Sequence, residues 1–188
     1  MCIKEIIRIT ALLLGRENVI RYLDGDTDEQ NVGADCLRTI NVLTDLTNLV
    51  INELSTTYIP MTKVEKVVSN DGKVYYKDLT ERILRVRAVY DIDGKNVEYS
   101  VNSEYVKVNY SEVEIEYDFV PENYGLEQTI GYTDKDVSAR VIANGVASEF
   151  NVSEGRFDEA VTFHKRYVDM LSDICLPKNT FIKKRRWA

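Results

Sequence analysis

Val113-Glu114-Ile115-Glu116-Tyr117-Asp118-Phe119-Val120-Pro121 alternates apolar and acidic residues one by one before closing on a proline. Side chains leave a β-strand to opposite faces in turn, so this spacing predicts a strand with one apolar and one acidic face. Glu112, Glu114 and Glu116 fall on one side, and Val113, Ile115 and Tyr117 on the other. The same period of two governs the chain upstream as far as Pro60. Val64 to Val68 leads into Asn70-Asp71-Gly72-Lys73, a strong turn signal, and then Val74-Tyr75-Tyr76. Ile83 to Tyr90, Val97 to Val101 and Tyr105 to Val108 follow at short intervals. Short strands joined by tight turns predict an antiparallel meander or small barrel.

Outside Pro60 and Pro121 the period changes to that of a helix. Ile3, Ile6, Ile7, Thr10, Ala11 and Leu14 recur at helical spacing, and Gly15 supplies a stop. A short helix is expected over Glu17 to Leu23. A longer one is expected from Val32 to about Leu54, with Asn31 as its cap and one apolar stripe through Cys36, Leu37, Ile40, Leu43, Leu46, Thr47, Val50 and Leu54. Beyond Pro121, Thr133 or Asp134 is expected to cap a helix running to about Phe150. Its small residues, among them Ala139, Ala143, Gly145 and Ala147, let another helix approach closely. A last helix, Phe157 to about Cys175, is ended by Pro177. The expected fold class is therefore α+β. A helical domain (residues 1–60 and 132–176) carries an inserted antiparallel β-module (61–121), and residues 177–188 form an extended tail.

Charge separates tail from body. The chain of 188 residues carries −7, yet residues 177–188 contain five basic residues and no acidic one. Setting those five aside leaves 19 basic against 31 acidic residues, so the rest of the chain carries −12. Such a body repels nucleic acid. Cys2, Cys36 and Cys175 are too far apart in sequence for a C-x-x-C zinc or redox pair. They are expected to be reduced thiols packed as small hydrophobes. No run of apolar residues reaches the roughly 20 needed to cross a bilayer.

The sequence asks for no cofactor and offers no metal or catalytic centre. His164, the single histidine, shares a helical stripe with Phe157, Ala160, Val161, Val168 and Leu171, which predicts a packed or half-buried imidazole. Asp24, Asp26, Asp28 and Asp35 follow the spacing of a calcium loop. Its sixth position is Glu29 where such loops need glycine, so a solvated acidic loop is the expectation. The three strand glutamates present a uniform row, without the asymmetry that acid–base catalysis requires. No glycine-rich phosphate loop is present.

The helical N-terminus, the β-module ending in Val113 to Pro121, the helix Ser138-Ala139-Arg140-Val141-Ile142-Ala143-Asn144-Gly145-Val146-Ala147-Ser148-Glu149-Phe150 and the closing helix with its basic tail together resemble the head-to-tail adaptor (connector, or head-completion) proteins of tailed bacteriophages. The likeness is one of layout across most of the chain, without an invariant motif. It implies a structural, non-enzymatic protein, made in the host cytoplasm and housed in the virion neck. There it would form a ring of about twelve copies, a closed cyclic oligomer, beneath the portal protein and above downstream tail or neck proteins. It also implies that Phe181, Ile182, Lys183, Lys184, Arg185, Arg186 and Trp187 dock into the portal. Glu112, Glu114 and Glu116 would line a channel through which DNA passes without specific binding. The alternative is a small regulatory module whose basic tail contacts nucleic acid, since cations beside an aromatic can track a phosphate backbone.

Overall fold

The computed structural model describes residues 1–26, 33–133 and 137–175. Two sets of elements, each with its own apolar interior, are interleaved in the chain. The helices are α1 (Ile3–Leu13), α2 (Glu17–Leu23), α3 (Ala34–Glu53), α4 (Ala139–Ser153) and α5 (Phe157–Cys175). Between α3 and α4 run the strands β1 (Met61–Val68), β2 (Lys73–Tyr75), β3 (Arg82–Tyr90), β4 (Ser100–Val101), β5 (Tyr105–Lys107) and β6 (Glu112–Val120). The protein is α+β, with helices before and after an antiparallel β region.

Helix α4 is the axis of the helical part, because the first and the last helix both pack around it. Eleven of its fifteen residues are buried, and α1, α3 and α5 all lie against it. Its small residues make this close packing possible. At Gly145 an added Cβ would stand 2.9 Å from Val50 Cγ1 of α3 and 3.1 Å from the Tyr167 ring of α5, so only glycine admits both neighbours. Ile3, Ile6 and Ile7 of α1 are fully buried on the same core, each contributing roughly 1.5–3 kcal/mol. The connector after β6 is tied to this body. Asn48 of α3 accepts from the Tyr124 N–H at 2.8 Å and donates to the Tyr124 carbonyl at 3.0 Å, and the Ile3 N–H donates to the Gln128 carbonyl at 3.1 Å.

The strands form two three-stranded sheets, ordered β1-β6-β3 and β2-β5-β4. This corrects the expected meander or barrel, because the first and last long strands pair with each other. β1 runs antiparallel to β6 from Met61↔Phe119 to Val68↔Glu112. The turn at residues 70–73 forms as its sequence predicts, with Asp71 and Gly72 both at positive φ and Asn70 bridging Lys73. Yet the strands on its two sides join different sheets. Val74 and Val106 of one sheet and Val89, Val113, Ile115 and Tyr117 of the other share one apolar interior.

Other boundaries also differ from the sequence expectation. Helix α4 begins at Ala139, well after Thr133, with Ser138 as an extended N-cap that makes no side-chain capping bond. After Glu53 the chain continues through a wider π-helical turn, Leu54–Tyr58. Cys36 is buried, Cys2 half-buried and Cys175 exposed, so only one of the three free thiols is a core residue. Asn31 and Asp134, the other expected caps, lie outside the described residues. Among the described residues no helix is long and apolar enough to cross a membrane.

Candidate functional site

Strand β6 sits at the centre of its sheet, and from Glu114 to Phe119 it is flanked by both β1 and β3. Val113, Ile115 and Tyr117 point into the core, and Glu112, Glu114 and Glu116 stand on the opposite face. That face is a ladder of cross-strand partners. Lys66 Nζ of β1 lies 3.1 Å from Glu114 Oε1. The Tyr90 hydroxyl of β3 donates to Glu116 Oε2 at 3.0 Å. Glu112 alone of the three is exposed, and neither it nor Glu116 has an ion pair among the described residues.

One step further along the same face lies a group the sequence reading did not single out. Asp118 is fully buried. Arg85 donates to its Oδ2 through Nε at 3.2 Å and Nη2 at 2.8 Å, and Arg87 Nε donates to Oδ1 at 2.5 Å. Thr62 Oγ1 donates to the same Oδ1 at 3.1 Å. Burial by itself pushes this carboxyl up. The hydrogen bonds from Arg87, Arg85 and Thr62 outweigh it and hold Asp118 below the usual carboxylate range. The pair Arg85-Val86-Arg87 was the available signal. What brings both guanidiniums to one carboxylate is the pair of register shifts in β3, between Ile83 and Arg85 and between Val86 and Ala88. Along this face four carboxylates meet Lys66, Arg85 and Arg87, a net of −1. The glutamate row is not a bare negative wall.

The other side of the sheet holds a second polar network at its rim. The Tyr117 hydroxyl donates to Glu65 Oε2 at 2.7 Å, and Thr80 donates to the same oxygen through its N–H at 3.2 Å and its hydroxyl at 2.9 Å. Burial, then the bond to Glu65, pushes the Tyr117 phenol up to about 12. Lys63 pairs with Glu81 at 3.1 Å. Both residues line an open cleft of about 490 Å³ at the seam between strands and helices, along with Pro60, Met61, Phe119 and Tyr132. Its two charged groups are engaged on each other, and the Tyr132 hydroxyl donates to the Ile59 carbonyl at 2.6 Å.

His164 is exposed, with its ring centroid 6.4 Å from that of Tyr167, and this corrects the expected packed or half-buried imidazole. Helix α5 buries Ala160, Tyr167 and Leu171 instead, leaving Phe157, Val161 and Val168 exposed. Asp24, first in the acidic loop, is engaged by Arg8, whose Nε and Nη2 donate at 2.7 and 3.1 Å. Asp28 and Glu29 lie outside the described residues, and so does the whole tail with Phe181, Ile182, Lys183, Lys184, Arg185, Arg186 and Trp187. Among the described residues no group of three or more His, Cys, Asp or Glu side chains converges as a metal site.

Sheet β2-β5-β4 carries a surface of different character. Val74 and Val106 point inward, so Lys73, Tyr75, Tyr105 and Lys107 point out, with Lys73 opposite Lys107 and Tyr75 opposite Tyr105. The two rings meet edge to face at 5.7 Å, Lys73 Nζ stands 4.9 Å above Tyr105, and Lys77 Nζ stands 5.4 Å above Tyr75. On a body that carries −12, this is a local cationic and aromatic face. No protein-family model matches the chain, and no curated protein matches it.

Proposed function

We propose that this chain is a structural adaptor subunit of a tailed-phage neck, which forms a ring under the portal, extends the DNA channel and joins head to tail. The observation that carries this reading is the separation of charge along the chain. An anionic body ends in helix α5 at Cys175, and the sequence beyond it, from Pro177, holds five cations and the anchors Phe181, Ile182 and Trp187. Aromatic residues supply the desolvated anchors of protein interfaces, and surrounding charges steer encounter and fix register. The segment matches what a partner-docking arm requires, with the portal protein as its receptor.

The body supports the same role by what it presents. The Glu112, Glu114 and Glu116 face is close to neutral once Lys66, Arg85 and Arg87 are counted, so it offers DNA few phosphate contacts. A surface of this kind suits a channel wall along which a genome slides.

The test is to mix the purified chain with the portal protein encoded in the same genome and to image the product by electron microscopy. A ring stacked under the portal, lost when residues 177–188 are removed, is the expected result. Salt-sensitive DNA binding that vanishes with the same truncation, without any portal complex, would establish the nucleic-acid module instead.

A further inference from the structure

The outer side of α5 has an apolar surface that the fold does not use. At 100° per residue, the buried residues Ala160, Tyr167 and Leu171 and their half-buried neighbours Phe163, Met170 and Ile174 form one stripe. Phe157, Val161 and Val168 form a second stripe beside it, 65%, 69% and 37% exposed. The arc from Met170 to Val161, interrupted only by His164, is therefore about 180° wide, well beyond the roughly 100° that packing on one side requires. Beyond the bare stripe, past Ser172 and Lys165, the same wheel brings Asp158, Asp169 and Asp173. None of them has an ion pair among the described residues. Lys165, Arg166 and Glu159 lie on the same side of the helix, so four acids against two bases leave it at −2.

The complementary surface is on the same molecule. The outward face of β2-β5-β4 offers Tyr75 and Tyr105 as flat apolar area, with Lys73, Lys77 and Lys107 around them. None of these lysines has an ion pair among the described residues. Glu104 stands at the rim of this face, so three bases against one acid leave it at +2. A strand of nucleic acid is the poorer occupant. The surrounding body is anionic and repels phosphates.

We propose that copies of this chain join head to tail, the lysine–tyrosine face of one copy seated on the Phe157-Val161-Val168 ridge of α5 and its aspartates on the next. Two different surfaces meeting make a heterologous contact, which closes into a ring when its rotation allows. The inference deepens the ring reading above by naming its subunit contact. It is tested without the portal, so the two can fail separately.

The experiment is sedimentation velocity over a wide concentration range on the full chain, on K73E/K107E and on D158K/D169K. Wild type is expected to self-associate. Each variant alone is expected to weaken association by about a hundredfold, because like charges then face each other across the contact. An equimolar mixture of the two variants is expected to associate again, since the reversed sheet face now meets the reversed ridge. Rescue in the mixture also demonstrates that both variants are folded. A wild type that stays monomeric throughout, variants that associate as wild type does, or a mixture without rescue would each overturn the proposal. So would a K73E/K107E variant that loses single-stranded oligonucleotide binding while associating normally.

Discussion

Gly145→Ala is the change that most sharply probes the helical core. In an exposed helix this substitution stabilises by about 1 kcal/mol, because glycine is the costlier residue to order. Here the new methyl would lie 2.9 Å from Val50 Cγ1 and 3.1 and 3.2 Å from two carbons of the Tyr167 ring. Val50 is 1% exposed and Tyr167 2% exposed, so neither has space to retreat into. Overpacking a closed core costs about 1–3 kcal/mol. The net expectation is a loss of about 0–2 kcal/mol where propensity alone predicts a gain. Val50→Ala on its own removes buried methyl groups and costs about 2 kcal/mol. In the double variant the methyl added at position 145 moves into the vacated volume, so the pair should be less destabilised than the sum, by about 0.5–3 kcal/mol. Urea unfolding followed by far-ultraviolet circular dichroism, with unchanged m-values, measures all three. A Gly145→Ala protein stabilised by the full 1 kcal/mol or so, with additive double-variant energies, would refute the three-helix packing argument.

Asp118→Asn should destabilise the protein by about 1–3 kcal/mol at neutral pH, since the carboxylate charge facing two arginines is lost and one acceptor oxygen becomes an NH2 donor set against other donors. The folded-state pKa of Asp118 is depressed, so its contribution is present above the unfolded pKa of about 3.9 and is lost as pH falls through the folded value. The gap between wild type and variant should close as pH falls from about 5 towards 2, and a gap independent of pH in chemical denaturation would count against the assignment. A thiol reagent at neutral pH should label Cys175 first and Cys2 more slowly. Cys36 should react only on unfolding, because it is buried and burial pushes its thiol up. Mass spectrometry of partly labelled protein reads this order directly, and early labelling of Cys36 would contradict the packing of α3.

Local chemistry was legible in the sequence wherever one residue's conformation decides it. The Asp71-Gly72 turn forms because both positions adopt positive φ, which their side chains tolerate well. The alternation from Glu112 to Tyr117 set both faces of β6. Strand order is a different matter, since pairing β1 with β6 closes a long loop and leaves no mark on either strand's own pattern. Helix α5 shows a similar ambiguity. Its apolar arc is wide enough for two stripes, and the packing of Tyr167 against α4 decided that Ala160 and Leu171 went inside while Val161 and His164 stayed out. The Asp118 cluster was hidden because register shifts in β3 bring Arg85 and Arg87 together, and such bulges follow from tertiary pairing. Thr133 reads as a cap as readily as Ser138 does, but the regular helix begins only at Ala139.

The claim that the cationic end of the chain docks into another protein is tested most directly by placing a photo-crosslinking residue at Trp187 in the otherwise intact chain. It is irradiated alone and then with the portal protein of the same genome. The expected result is a covalent adduct with the portal, formed at the expense of any product within the chain. A crosslink that always returns to the chain's own helices, with the portal present in excess, would contradict it.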